Sequence, residues 1–174
     1  MPSLNRLAIL DIILDEHYTV DQLQQLLNLS PCLYSLRLFY SVDLKRLLER
    51  ITSSSIRRLN LVTKCSSDLS YFNSIECATL ADSQLGNQCE VLLVKIENRI
   101  NVLSLLTSMN KLRSLIVQCK DDTWNNKDRS STKDELAEWL CNCLPSAYSI
   151  VRDKNETSNI RIWISKSDNN VLQS

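Results

Sequence analysis

His17, seven cysteines and a few clustered acidic residues are the side chains here whose types could do catalytic or metal chemistry. Their spacing argues against it. A serine or cysteine nucleophile needs a base beside it, and His17, the single histidine, lies in the polar stretch Asp15-Glu-His-Tyr, which suits a loop ahead of a helix. Cys141-x-Cys143 lacks the two-residue spacer of zinc pairs, and on a helix thiols two apart point to different faces. Asp121, Asp122 and Asp128 fall in the polar stretch 120–131 without the glycine and terminal glutamate of a calcium loop, so a solvated loop is expected there. Trp124, inside that stretch, is expected to be either tucked against the edge of the fold or offered to a partner.

Gly86 is the only glycine. Phosphate-cradling loops, dinucleotide-binding turns and nucleophile elbows each need two or more glycines at fixed offsets, which excludes all three. The expectation is therefore no enzyme, no cofactor and no metal. Twenty basic residues balance twenty acidic ones, so no strong overall field recruits nucleic acid or an anionic membrane. An odd number of cysteines, with 89, 119 and 143 in or beside apolar runs, fits free thiols in a reducing compartment, the cytoplasm or nucleus. No run approaches the ~20 apolar residues of a membrane span.

The elements that must position any functional side chain follow from a recurring spacing, apolar-x-x-apolar-x-apolar. It occurs as Leu33-Tyr-Ser-Leu36-Arg-Leu38, Ile56-Arg-Arg-Leu59-Asn-Leu61, Val91-Leu-Leu-Val94-Lys-Ile96 and Leu112-Arg-Ser-Leu115-Ile-Val117, and less distinctly as Leu4-Asn-Arg-Leu7-Ala-Ile9. In an extended chain alternate residues face opposite ways, so each copy buries one face and displays the other. Before the strands come helical stripes: Leu26-Leu27, Leu47-Leu48, Leu105-Leu106 and Leu140.

In chain order the expectation is a buried strand over Leu4–Leu14, a helix Val20–Leu29 opened by the capping box Thr19-Val-Asp-Gln22, a strand Leu33–Leu38, and a helix Val42–Thr52 capped by Ser41. A strand Ile56–Leu61 follows. An irregular connection of about 62–89 comes next, with a helix around Leu69–Leu80 turning Leu69, Phe72 and Cys77 inward. Then come a strand Glu90–Glu97, a helix Val102–Met109 capped by Asn101, and a strand Lys111–Cys119. A C-terminal cap of about 132–165 comprises a helix opened by Thr132-Lys-Asp-Glu135 and running through Leu136, Trp139, Leu140 and Cys143, with one of Cys141 and Cys143 buried, and two strands, Ala147–Val151 and Asn159–Ser165. Residues 166–174 form a frayed tail.

A helix-then-strand unit recurring every 20 to 35 residues has the period of a stacked repeat array. The motif copies resemble the leucine-rich repeat family, and specifically the irregular repeats in the C-terminal half of F-box and leucine-rich repeat proteins. The resemblance covers roughly 4–164, but the asparagine or cysteine that usually follows the strand is mostly missing, with Tyr40, Thr63 and Cys119 in such positions. It implies an α/β solenoid over 1–165, with a short parallel sheet on the concave side and helices on the convex side.

In that family a separate F-box module contacts a ubiquitin-ligase scaffold and the repeats hold the substrate. No stretch here resembles the F-box, so the resemblance implies the substrate-recognition half alone, as a monomer or a piece of a longer chain whose partner is another protein. The alternative is a structural or truncated repeat fragment with no specific partner. The expected contact surface is the displayed face of the sheet: Ser35, Arg58, Leu93 and Ser114 in one column; Arg37, Asn60, Lys95 and Ile116 in the next; Phe39, Val62, Glu97 and Gln118 in the third.

Overall fold

A computed structural model describes residues 4–14, 19–40, 44–61, 71–125 and 134–165. Seven strands form one sheet in the order β1 (Ile9–Leu14), β2 (Ser35–Tyr40), β3 (Arg58–Leu61), β4 (Val91–Ile96), β5 (Ser114–Cys119), β7 (Ile160–Ile164) and β6 (Tyr148–Arg152). The first five are parallel and in sequence order, and the last two join as antiparallel partners. Six α-helices occur among the described residues: α1 (Val20–Asn28), α2 (Leu44–Arg50), α3 (Ser74–Asp82), α4 (Gln84–Gln88), α5 (Ile100–Ser108) and α6 (Glu135–Cys143). The class is α/β, with a mostly parallel sheet that does not close into a barrel.

Period-2 alternation decides which side of the sheet is covered. Leu36 and Leu38, Leu59 and Leu61, Leu92, Val94 and Ile96, Leu115 and Val117, and Ile160 and Ile162 are all buried in one cluster with Leu23 and Leu27 of α1, Leu80 of α3, Val102 and Leu105 of α5 and Leu136 and Leu140 of α6. Every described helix that contributes to the core therefore packs on the same side of the sheet. α1 begins where Thr19 Oγ1 accepts from the Gln22 N–H and the Gln22 side chain accepts from the Thr19 N–H, the expected capping box.

One backbone contact recurs at the entry to β2, β3, β4 and β5, and it sets the register. Two successive N–H groups donate to a single carbonyl of the preceding unit: Tyr34 and Ser35 to Ala8, Arg57 and Arg58 to Tyr34, Glu90 and Val91 to Arg57, and Arg113 and Ser114 to Glu90. Equivalent residues are thus Leu36, Leu59, Leu92 and Leu115, with Leu10 in β1. This moves two of the expected motif copies. In β4 the copy is Cys89-x-x-Leu92-x-Val94, two residues earlier than Val91-x-x-Val94-x-Ile96. At the N-terminus it is Leu7-x-x-Leu10-x-Ile12, three later than Leu4-x-x-Leu7-x-Ile9.

In the described part of the expected irregular connection, 71–89, the chain is more regular than expected. Phe72 is not helical: its N–H donates to Lys95 O at 2.8 Å and its carbonyl accepts from the Glu97 N–H at 2.9 Å, a parallel bridge to Ile96 with the ring buried. Continuing the β3–β4 register would set the residue two beyond Leu61 opposite Ile96; Phe72 takes that place. α3 then starts at Ser74, because Asn73 and Glu76 form a second capping box that the sequence reading missed. α4 follows after Ser83, whose hydroxyl donates to Leu80 O and accepts from the Gly86 N–H. Gly86 sits so close to α3 that a Cβ there would lie 1.9 Å from Leu80 O. A backbone approach of that kind is what the lone glycine is for. Leu69 and the Ser41 cap lie outside the described residues.

Other expectations are corrected. β1 is an edge strand rather than a buried one: Ile12 is buried, but Ile9 and Ile13 are 67% and 66% exposed on the uncovered side. Asn101 does not cap α5. It is a buried residue of the first turn whose Oδ1 accepts from the Ser74 hydroxyl, while Asn98 Oδ1 takes the Ile100 N–H. α6 is capped by Asp134, which accepts from the Ala137 N–H, so the helix begins at Glu135. Cys141 and Cys143 are both exposed rather than one of them buried. The strand after α6 does not continue the parallel series, because β7 inserts between β5 and β6.

Candidate functional site

The side of the sheet opposite the helices contributes nothing to the core cluster. Strand register arranges its residues in rows that cross the sheet. The first row is Ile9, Ser35, Arg58, Val91, Ser114, Trp163 and Ser149; the second is Asp11, Arg37, Asn60, Leu93, Ile116, Arg161 and Val151; Ile13 and Phe39, then Lys95 and Gln118, belong to the third. The expected columns keep their faces, but each β4 member shifts by one row: Val91 stands beside Arg58, Leu93 beside Asn60, and Lys95 in the third row. Val62 lies outside the described residues.

Not every expected contact residue is accessible. Asn60 and Ile116 are 7% and 8% exposed, so neither can serve as a contact in this conformation. Ile116 lies between Leu93 and Arg161 in the interior of the second row. Ser35, Arg37, Phe39, Arg58, Lys95, Ser114 and Gln118 are half-buried, and Glu97 is exposed just beyond the end of β4, its backbone tied to Phe72. Ile9, Ile13, Val151 and Trp163 are large exposed apolar side chains on this face that the sequence reading did not select. Strand alternation was the available signal for them.

The charges on the face are partly neutralised. Arg37 donates to Asp11 at 3.1 Å and lies 5.9 Å from the Phe39 ring centre. Arg161 is ion-paired with the buried Asp153. The Lys95 ammonium stands 5.7 Å from the Tyr71 ring centre, within the range of a cation–π contact. Lys95 and Arg58 have no acidic partner among the described residues.

A second polar cluster ties the C-terminal elements together. Asp121 and Asp122, expected as solvated loop residues, are pinned by arginines from distant elements. Arg99 donates to Asp121 at 3.0 Å and Glu135 at 3.1 Å and stands 5.8 Å from the Trp139 ring centre. Arg152 donates to Asp122 and Asp134, each at 2.5 Å, and stands 5.5 Å from the Trp124 ring centre. Trp124, in the 3-10 turn Thr123–Asn125, is thus held by Arg152 on the protein yet remains exposed. Burial works against ionisation of Asp134, but the hydrogen bonds from Arg152 and the Ala137 N–H outweigh it and hold its carboxyl below the usual range. Burial pushes the thiols of Cys77, Cys89 and Cys119 up to about 12, so they are not nucleophiles near neutral pH.

Among the described residues no group of three or more His, Cys, Asp or Glu side chains is placed to hold a metal ion. No described helix is long and apolar enough to cross a membrane. His17 and Asp128 lie outside the described residues, as does Cys65. No family model, curated protein or solved structure matches the chain.

Proposed function

We propose that the protein is a non-enzymatic protein-binding domain of the leucine-rich repeat type, whose uncovered sheet face is the contact surface. The observation that carries this reading is that face itself. It takes no part in the core, yet it carries Ile9, Ile13, Val151 and Trp163 on the same face as Arg37, Arg58 and Lys95. Exposed apolar groups mixed with arginine are the composition of contact surfaces, where aromatic and Arg side chains supply most of the binding energy. The repeat-array part of the reading draws support from five parallel strands in sequence order and from the entry contact repeated at four strands. Substrate recognition within an F-box-type ubiquitin-ligase adaptor is the specific role we propose, and it rests on the motif spacing alone.

The test is capture of partners from native lysate by the wild-type protein and by a variant combining Arg37→Glu, Arg58→Glu and Lys95→Glu, with circular dichroism to establish that both are folded. The expected result is a specific set of captured proteins that the variant loses. Capture unchanged by the three substitutions sinks the assignment of this face.

A further inference from the structure

Among the described residues, the first row of the uncovered face is the one that combines a lone cation with an exposed indole. Arg58 is its only charged side chain, and it makes no ion pair among the described residues. Two acidic groups on other strands or strand entries of the sheet are engaged elsewhere: Asp11 with Arg37, and Glu90 with Arg57 and Arg113, each at 3.9 Å from Glu90. Ser35 and Val91 flank Arg58 in register, so a short and a medium side chain leave its guanidinium approachable from solvent. Three strands along the same row, past Val91 and Ser114, stands the exposed Trp163. Strands about 4.8 Å apart put these two positions about 14 Å from each other. An extended chain advancing about 3.3–3.6 Å per residue covers that distance in about four residues.

We propose that this row binds an extended peptide segment lying across the strands, with a carboxylate on Arg58 and an apolar side chain, about four residues away, on Trp163. The inference rests on the uncovered face being a contact surface and adds the chemistry of the occupant. Charge complementarity selects an acidic segment: after the pairs with Asp11 and Asp153 are made, the face retains among the described residues the cations Arg58 and Lys95 against the one exposed carboxylate of Glu97 beyond the end of β4. A guanidinium takes a carboxylate through two parallel hydrogen bonds, which fixes the peptide's register as well as its sign. The indole offers apolar area at small entropic cost.

The experiment is selection of random decapeptides displayed on phage against the whole folded protein, followed by fluorescence polarisation of the enriched peptides. The expected outcome is recurrence of an Asp or Glu three to five positions from an apolar residue. Arg58→Glu should weaken those peptides by about tenfold or more, as loss of a close charge pair does, and changing the peptide's acidic residue to Lys should recover part of the loss. Trp163→Ser should weaken binding without altering the charge preference. Enriched peptides that ignore Arg58→Glu but respond to Lys95→Glu would overturn this proposal and leave the face as a contact surface. No enrichment by the folded protein overturns the proposal. If lysate capture is empty as well, the reading of the face falls with it.

Discussion

The Arg152 guanidinium meets the Asp122 carboxylate at 2.5 Å across 30 residues of chain. The arginine side chain is 13% exposed and the aspartate 1%. One comes from the last residue of β6 and the other from the turn after β5, so the pair fastens the antiparallel hairpin to the end of the parallel series. Removing one member of a buried pair strands the other's charge, which costs about 3–5 kcal/mol. Arg152→Met is therefore expected to lower unfolding free energy by about 3 kcal/mol or more, measured by urea denaturation. A loss under about 1 kcal/mol would mean that the pair is not fastening the hairpin.

Acid should loosen the same region. The Asp134 carboxyl is held below its ordinary value, burial opposing and the Arg152 and Ala137 hydrogen bonds prevailing. Asp153 is lowered too, by the Asn155 N–H first and Arg161 next. A depressed carboxyl binds its proton more weakly folded than unfolded. Its contribution is therefore complete above the unfolded value of about 3.9 and lost as pH falls through the folded value. Melting temperature should fall as pH drops below about 4, and Asp134→Asn should flatten part of that fall. An unchanged slope in that variant would remove Asp134 from the account.

Gly86→Ala places a methyl group 1.9 Å from Leu80 O and 2.9 Å from Leu80 C, both backbone atoms. No side chain can rotate away to make room, so α3 and α4 must separate. Overpacking of this kind costs about 1–3 kcal/mol, and rigid neighbours put the expectation near 3. A urea midpoint equal to wild type would show that the α3–α4 junction yields without cost.

Brief treatment with N-ethylmaleimide at pH 8 should modify Cys32, Cys141 and Cys143, which are exposed, and spare Cys77, Cys89 and Cys119, which are buried with thiols pushed up to about 12. Peptide mass spectrometry reads the outcome. Rapid labelling of Cys89 or Cys119 in the folded protein would contradict the packing of the β4 and β5 strand ends.

Strand faces were legible in the sequence because alternation has a strict period of two, and the apolar rows at Leu36, Leu59 and Leu115 stand where that period puts them. The register of β4 was not. Val91-Leu-Leu-Val94 is apolar throughout, so two registers fit the same spacing, and only the ladder with Arg57 and Glu90 chooses between them. Helix starts slipped by a few residues: α6 is capped by Asp134, and α5 starts at Ile100, ahead of Asn101, from Arg99 with no side-chain cap. The acidic turn was misread because its partners are distant in sequence. A signal existed, since alternation through Tyr148 and Ile150 puts Arg152 on the covered side of the sheet, where a cation requires an anion. Accessibility on the uncovered face was the least legible property, because the burial of Asn60 and Ile116 depends on neighbours in adjacent strands.

The bridge between Phe72 and Ile96 also bears on how this chain can vary. Because Phe72, rather than a residue counted along the ladder from Leu61, completes the pairing beside β4, the sheet does not dictate how many residues lie between them. Each doubling of an inserted flexible segment costs only about 0.6 kcal/mol in closure entropy. Changes of chain length ahead of Phe72 are therefore expected to leave the pairing of β3, β4 and β5 in register.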